Sequence, residues 1–414
     1  MNARRVLMIA FHYPPLLGSS GWLRTAAFAR YLPDFGWRPR VLSAHPRAYA
    51  TVSDEHLAAV AGIPVVRAFA LDTARHLAVA GRYPLLLALP DRWVAWLPGA
   101  LAAGLRIVRR ERPAVLWSTF PIPTAVLAGL ILQRLTRLPW VLDLRDAMLD
   151  PDFPETRAER RVYAWLERAA VGRAAAVVVT TPGAARLYRA RYPELPPEHF
   201  QVLPNGYDEA VFRRLAPARS APPVQRSGRL RLVHSGLLSA VDRNPDCFFQ
   251  ALAELKRSGR LPAGLQVVLR GSGEEAGYLA RLHALGIGDL VELAAPVSYD
   301  DALQEMLAAD GLLLFQGSTC NHAIPAKVFE YLRAQRPILA LTDPAGDTAA
   351  LLRQLGTGRI VRLDSAQEIA AALPAFCDEI RNGRYPLPDP AAVQRYSRAA
   401  LTAGLAEIFD AVSG

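Results

Sequence analysis

The sequence has few cysteines and no long apolar run. Three cysteines stand far apart in 414 residues and form no Cys-x-x-Cys pair. A disulfide framework and a structural zinc site are therefore not expected, and a reducing compartment fits this composition. No uncharged apolar stretch reaches the ~18 residues that suggest a membrane-spanning helix, and residues 1–5 lead directly into a short strand-like run rather than a signal peptide. We expect a cytoplasmic protein.

Lysine is rare among the cationic side chains. Basic residues exceed acidic ones by 48 to 38, yet only Lys256 and Lys327 are lysines. The positive surplus favours anionic partners, such as a phosphate-bearing small molecule or an anionic membrane face. The arginines are spread along the chain without a nucleic-acid-binding motif, so nucleic acid is not an expected partner. A compact ammonium retained in an arginine-rich sequence makes Lys327 a candidate binding residue.

Short apolar strands alternate with Gly- and Pro-containing loops and amphipathic helices. Strands that are apolar throughout and separated by helices are typical of parallel sheets covered on both faces. The predicted strands are Val6–Ala10, Arg40–Ser43, Val115–Ser118, Trp140–Asp143, Ala176–Thr180, Leu230–His234, Gln266–Arg270, Val291–Ala294, Gly311–Phe315, Pro337–Ala340 and Gly358–Arg362. The chain is long for one hydrophobic core. We predict two doubly wound α/β domains at 1–213 and 229–395, joined by a Pro- and Arg-rich linker at 214–228 and followed by a last helix.

Two loops of the first domain follow predicted strand ends and precede helices. His12 opens the first loop, and Gly18 and Gly21 lie before the helix, whose N–H groups favour an anion. Ser118 opens the second loop. In open parallel sheets such loops line the ligand crevice. A plain strand-to-helix turn is the alternative for the first loop.

A third strand end carries three charged side chains. Asp143 and Asp146 flank Arg145, and two carboxylates beside an arginine at a strand end predict a functional site. The alternative is a buried Arg–Asp ion pair that ties the loop.

The second domain repeats the strand–glycine–helix design twice. Gly236 follows a strand, and Arg243 stands close enough along the chain to reach an anion there. Gly271 and Gly273 follow the next strand, where a simple helix start is the alternative.

The most informative stretch runs from Asn321 to Leu332. Pro325 suits the first turn of a helix, and Lys327 and Glu330 then lie three residues apart on one face near its N-terminus. One interpretation is a surface ion pair. The other, which we favour, places Lys327 on a diphosphate and Glu330 on ribose hydroxyls.

The order and spacing of these motifs resemble the GT-B glycosyltransferases, in particular the retaining group known as family 4, along nearly the whole chain. The resemblance implies two facing Rossmann-like domains, with the acceptor on the first and a nucleotide-diphosphate sugar on the second. It also implies that the C-terminal helix, residues 396–414, packs back on the first domain. The implied reaction is sugar transfer with retention, without a metal or cofactor, to a glycan or lipid-linked acceptor in cell-surface polysaccharide or glycolipid biosynthesis.

The resemblance also implies roles for the candidate residues. The diphosphate would be held by Gly236, Arg243 and Lys327, and the ribose by Glu330. The other donor-side candidates are Asn321, Gly271 and Gly273, and the candidates on the acceptor side are His12, Gly18, Gly21 and Ser118. His322 stands where the family has the first glutamate of a pair, and no histidine occurs at Ser118–Pro121. The candidates for catalytic roles are Asp143, Arg145, Asp146 and His322.

Two other functions remain open. A nucleotide-sugar 2-epimerase would share the fold and the donor site, and a degenerate partner subunit would bind donor without turnover. Separately, the aromatic, aliphatic and basic residues of 83–112 suit an element at an anionic membrane surface. Peripheral association with the cytoplasmic leaflet is therefore a hypothesis, and a helix packed on the sheet is its alternative.

Overall fold

The computed structural model describes residues 4–18, 21–151, 153–215 and 229–414. The chain divides into two compact units: unit 1 comprises Met1–Asn205 and Arg398–Gly414, and unit 2 comprises Gly206–Ser397. The first division falls earlier than the predicted end at residue 213, because Tyr207 and Phe212 pack into a core of unit 2. Most of the predicted linker, residues 216–228, lies outside the described residues.

Unit 1 is built on a parallel sheet of seven strands in the order β3-β2-β1-β4-β5-β6-β7. The strands are β1 Arg4–Ile9, β2 Trp37–Ala44, β3 Val65–Ala68, β4 Val115–Phe120, β5 Trp140–Leu144, β6 Ala176–Val179 and β7 Phe200–Val202. The helices are α1 Trp22–Tyr31, α2 Thr73–His76, α3 Leu97–Glu111, α4 Pro123–Thr136, α5 Arg157–Val171 and α6 Pro182–Arg191. Apolar clusters cover both faces of the sheet, as continuous apolar strands require.

Unit 2 contains a parallel sheet of six strands in the order β10-β9-β8-β11-β12-β13. The strands are β8 Leu230–Ser235, β9 Leu265–Arg270, β10 Val291–Ala294, β11 Gly311–Gln316, β12 Ile338–Thr342 and β13 Arg359–Val361. The helices are α7 Glu209–Leu215, α8 Asp246–Arg257, α9 Glu275–Ala284, α10 Tyr299–Ala308, α11 Lys327–Ala334, α12 Asp347–Gln354, α13 Ala366–Arg381 and α14 Pro390–Gln394. The strand order reverses between β8 and β11, so their carboxyl ends form the switch point where open α/β sheets bind ligands.

The predicted α/β class and all eleven predicted strands are confirmed. Two short edge strands, β3 and β7, were not predicted. β3 is only partly buried along most of its length, and β7 has three residues. Neither has the continuous apolar run by which the other strands were found.

The last helix, α15 Arg398–Ser413, packs against α1 within unit 1. The ring of Phe409 meets Trp37 edge-on at a centroid distance of 5.2 Å. The Trp37 indole also donates a hydrogen bond of 2.9 Å to the Asp410 carboxylate. The first sheet is therefore covered in part by the C-terminal end of the chain.

The stretch 83–112, predicted as an interfacial element or a packed helix, divides into two parts. Trp96 is fully buried, and α3 packs against the sheet and α4, so the helical part follows the packed-helix alternative. Residues 83–87 are exposed. Within the described residues, no helix combines the length and apolar character needed to cross a membrane.

Candidate functional site

The main cluster of unit 2 lies at the carboxyl ends of β8 and β11. β8 ends in His234 and Ser235, and Gly236 turns the chain with a φ of 118°. That backbone conformation favours glycine. A Cβ on residue 236 would lie 2.8 Å from the Nζ atom of Lys327. A side chain at residue 236 would therefore require the ammonium to shift from this position.

Lys327 is the first residue of α11, and its ammonium is held at the end of β8. Its Nζ donates a hydrogen bond of 2.6 Å to the carbonyl of Ser235 and lies 3.4 Å from Nε2 of His234. Nδ1 of His234 lies 2.9 Å from the carbonyl of Leu313, an acceptor, so Nδ1 carries the proton and Nε2 can accept from Lys327.

The electrostatics of this cluster favour an anion. Burial, together with the positive charge of Arg243, lowers the pKa of Lys327 to about 8, although Glu330 opposes the shift. Burial and the Lys327 charge hold the pKa of His234 well below its usual value. A bound phosphate would relieve this crowding of positive charge, and the N-terminus of α11 would add its favourable dipole.

Arg243 lies beside the same turn, in contact with a carboxylate. Its Nη2 is 2.9 Å from Oδ2 of Asp242, and its Nη1 donates to the carbonyl of Leu237 at 3.3 Å. The Arg243 side chain remains 37% exposed. Its guanidinium can therefore bind a ligand in place of part of its contact with Asp242. The structure thus brings together the three residues that were predicted to bind the diphosphate, Gly236, Arg243 and Lys327.

Glu330 is held by a residue that the sequence did not single out. The hydroxyl of Tyr299, at the start of α10, donates a hydrogen bond of 2.7 Å to Oε1 of Glu330. Lys327 and Glu330 do lie on one helix, as predicted, but each has its own partner in another element. They are therefore not a simple surface ion pair.

The loop after β11 carries Asn321 and His322. Nδ2 of Asn321 donates to Oδ2 of Asp343 at 2.7 Å, while its buried Oδ1 has no hydrogen-bond partner among the described residues. His322 is half-buried in the same loop. The buried Gln316 fixes the loop by donating to the carbonyls of Cys320 and Ala323 at 2.8 and 2.9 Å. This geometry places Asn321 and His322 in a constrained turn leading to α11.

Gly271 and Gly273 flank the turn between β9 and α9. The Gly271 amide donates to the carbonyl of Ala294 at 2.8 Å. Ser272 between the glycines is fully buried, and its hydroxyl has no hydrogen-bond partner in the part of the chain that the structure describes. The amide of Leu238 donates to the Ser272 carbonyl at 3.0 Å, which joins this turn to the one that follows β8.

In unit 1, Asp143 takes part in a buried ion pair. Nη2 of Arg24 lies 2.9 Å from Oδ1 of Asp143, and Nε contacts both carboxylate oxygens at 3.1 and 3.2 Å. The Thr119 hydroxyl donates to Oδ2 at 3.0 Å. Asp143 has no solvent exposure. The buried Arg–Asp pair that the motif left open is therefore present, with Arg24 rather than Arg145 as the partner, and the catalytic role of Asp143 stays a prediction.

Arg145 and His12 come together at the carboxyl edge of the same sheet, and Asp146 is exposed beside them. Arg145 donates to the carbonyls of Phe120 and Gly21 at 3.1 and 2.5 Å. Burial, with the Arg145 charge, lowers the pKa of His12 to about 4, so its imidazole is neutral near pH 7.

The other predicted acceptor-side residues fall in different places. Gly18 is exposed, and Gly21 is buried at the start of α1. Ser118 was predicted to open a loop, and this prediction was wrong because β4 continues to Phe120. Ser118 is fully buried and accepts a hydrogen bond of 3.0 Å from the Trp140 indole. It belongs to the core beneath α4.

Residues 19–206 match the family described as the glycosyl transferase 4-like domain. No curated protein matches the sequence. Solved structures with a similar fold include sucrose-phosphate synthase from Thermosynechococcus elongatus, with 14% identity, a TM-score of 0.67 and coverage of 99% of this chain and 98% of that one. HepE of Anabaena in complex with UDP has 17% identity, a TM-score of 0.65 and coverage of 98% and 100%. Residues 19–206 therefore belong to a glycosyltransferase family, and the chain as a whole has the GT-B fold.

The two comparisons bear on different parts of the chain. The family match covers most of unit 1, whereas the structural similarity extends over both units. The lipopolysaccharide outer core galactosyltransferase WaaB is another such structure, with 12% identity, a TM-score of 0.64 and coverage of 98% of this chain and 99% of that one. At these identities the structures establish the fold alone.

Proposed function

We propose that this glycosyltransferase binds a nucleotide-diphosphate sugar on unit 2 and transfers the sugar with retention to a glycan or lipid-linked acceptor. The observation that carries the proposal is the ammonium of Lys327, held at the turn after β8 by the Ser235 carbonyl and the His234 ring. Two structures of HepE of Anabaena, which has a similar fold, support a nucleotide-sugar donor, because one contains UDP and the other UDP-glucose.

The chemistry requires charge stabilisation at the diphosphate. The bond between the anomeric carbon and the diphosphate oxygen breaks, a bond from that carbon to an acceptor hydroxyl oxygen forms, and the nucleoside diphosphate leaves with added negative charge. Lys327, Arg243 and the N-terminus of α11 would neutralise that charge without a metal. With retention, the acceptor oxygen arrives on the face that the diphosphate leaves, so a diphosphate oxygen can take the hydroxyl proton.

Glu330 would then bind the ribose hydroxyls, with Tyr299 fixing one of its oxygens. Asn321, His322, Gly271 and Gly273 would contact the rest of the donor. On unit 1, the neutral imidazole of His12 can accept a hydrogen bond from an acceptor hydroxyl.

The acceptor class and the pathway are proposed from the family resemblance. A cytoplasmic bacterial-type enzyme of cell-surface polysaccharide or glycolipid biosynthesis fits the motifs. Two structures of similar fold, WaaB and WaaG, are glycosyltransferases of lipopolysaccharide. Peripheral contact with the cytoplasmic leaflet would bring the enzyme to a lipid-linked acceptor.

A thermal-shift panel of UDP-, GDP-, ADP- and dTDP-sugars, with and without EDTA, tests the donor site. A ligand at a hundred times its Kd stabilises the folded state by about 2.7 kcal/mol, so one nucleotide class should raise the Tm of the wild type in either buffer. Lys327→Met should abolish that shift. The matched control is Lys256→Met, which removes the only other lysine, an exposed one on α8 that pairs with Asp289 at 2.6 Å.

The outcomes separate the alternatives. Loss of the shift in Lys327→Met but not in Lys256→Met supports the proposed donor site. A shift that survives Lys327→Met would contradict it. Epimerised donor in reactions that contain no acceptor would instead identify an isomerase, and donor binding without turnover on any acceptor would favour a non-catalytic partner subunit.

A further inference from the structure

Nine consecutive residues of unit 1, Val79 to Leu87, are exposed. We call this segment the apolar tip. Its sequence, VAGRYPLLL, contains a single charged residue, and five of its side chains are large and apolar. Val79 and Leu86 are each 80% exposed, and Leu85 is 53% exposed; Tyr83 and Leu87 complete the set. Soluble proteins rarely leave so many contiguous apolar side chains in water without a partner.

The apolar tip is anchored at its base. The fully buried Asp72 accepts a hydrogen bond of 3.0 Å from the amide of Ala74 and pairs with Arg92 at 2.6 Å. The amide of Thr73 donates to the Arg92 carbonyl at 2.8 Å, and the Thr73 hydroxyl donates to the carbonyl of Leu87. Leu87, at one end of the tip, and the chain segments on either side of the tip are therefore tied together at its base.

The charge around the apolar tip is positive. No aspartate or glutamate occurs between Thr73 and Pro90, while Arg75, His76 and Arg82 are exposed. The carboxylate that follows, Asp91, accepts hydrogen bonds from the amides of Thr124 and Trp93 at 2.6 and 2.8 Å. The tip thus presents aliphatic side chains, a tyrosine and an arginine, with no exposed acidic residue among them.

We propose that the apolar tip docks unit 1 on an anionic lipid bilayer by inserting its leucine and valine side chains among the headgroups. Arg82 and Tyr83 suit the interface, because each has a polar end that stays hydrated and an apolar body that enters the bilayer edge. The exposed arginines attract anionic lipid. This inference rests on the proposed function, since it identifies the surface on which a lipid-linked acceptor would be met.

Vesicle co-sedimentation of the full chain tests the docking surface. Wild type should bind vesicles of phosphatidylcholine with phosphatidylglycerol at least tenfold more tightly than phosphatidylcholine alone, and added salt should weaken that binding. Leu86→Glu should reduce binding to the anionic vesicles at least tenfold, and Arg82→Glu should reduce the preference for anionic lipid. The matched control is Leu279→Glu, a leucine that is 62% exposed on α9 of unit 2, which should bind within twofold of wild type.

Three results would overturn the inference. The first two are failure of the wild type to bind anionic vesicles and equal binding by Leu86→Glu and wild type. The third is a lipid-free dimer that Leu86→Glu dissociates, because the tip would then bind a second copy of the chain. The nucleotide thermal shift of Leu86→Glu is measured in parallel. That readout reports on the donor site alone, so failure of membrane docking and failure of the proposed function are distinguishable.

Discussion

The position that a Cβ on residue 236 would occupy lies 2.8 Å from the ammonium nitrogen of Lys327. A side chain on residue 236 would therefore force the ammonium of Lys327 to shift from its position at the turn after β8. This relationship joins two motifs that are 91 positions apart in the sequence, and it places a cation at the switch point of the second sheet.

Gly236→Ala is expected to weaken nucleotide-sugar binding at least tenfold. The new methyl group displaces Lys327, and the backbone at φ 118° disfavours an L side chain. Isothermal titration with the donor found in the thermal-shift panel measures the effect. The control is Gly277→Ala in α9, where a Cβ meets nothing within 4 Å; it should bind normally and be more stable by about 0.5–1 kcal/mol. Equal binding by both variants would exclude the steric role of Gly236.

Donor affinity is expected to fall as the pH rises through about 8. Lys327 attracts the diphosphate only when protonated, and its pKa in the free protein is lowered to about 8. A phosphate group has its second pKa near ~6 and keeps its charge above pH 7. Titrations of the nucleoside diphosphate between pH 7 and 9 should show this fall in wild type. In Lys327→Arg the affinity should not change between pH 7 and 9, whatever its absolute value. A wild type whose affinity does not depend on pH would contradict the binding of the diphosphate by protonated Lys327.

The lowered pKa of Lys327 also affects stability. Because the folded pKa lies below the usual value of 10.5, the unfolded chain binds more protons between about pH 8 and 10.5. The free energy of unfolding therefore gains from this group as the pH rises through that window. Lys327→Met should remove this contribution and flatten the corresponding part of the urea stability curve.

Tyr299→Phe is expected to weaken donor binding several-fold while leaving the fold intact. It removes the hydroxyl that donates to Oε1 of Glu330, so the carboxylate loses orientation but keeps its charge. Glu330→Gln should cost at least as much, and the double variant should cost little more than Glu330→Gln alone, because both changes act through one carboxylate. Additive effects in this double-mutant cycle would show that Tyr299 acts independently of Glu330.

Asp143→Ala is expected to destabilise the protein by about 3–5 kcal/mol, because it leaves the buried guanidinium of Arg24 without its counterion. Urea unfolding measures the loss. Replacing both partners, as Arg24→Met with Asp143→Leu, should restore much of it. Donor binding by unit 2 should persist in the double variant. A stable Asp143→Ala protein that has lost only turnover would instead support the predicted catalytic role of Asp143.

The sequence predicted the elements with continuous local signals. The eleven predicted strands are short and mostly apolar, and Lys327 and Glu330 follow from their spacing and from the rarity of lysine. Contacts that join distant segments carried no such signal. Arg24 and Asp143 are 119 positions apart, and Tyr299 looked like an ordinary residue at a helix start. The one available signal for His234 was a titratable residue inside an apolar strand, which predicts burial but not a lysine partner. Ser118 shows the reverse error, since polar residues at the end of a buried strand resemble a loop.

The placement of α15 has a consequence for biosynthesis. Unit 1 is built from Met1–Asn205 together with Arg398–Gly414, and Leu405 and Phe409 belong to one of its cores. A ribosome must therefore translate the whole of unit 2 before it delivers the last part of unit 1. Until then, the nascent first unit exposes the apolar surface that α15 will cover, and it is at this stage that the chain most needs protection by chaperones. Expression of residues 1–205 alone would make that incomplete state permanent.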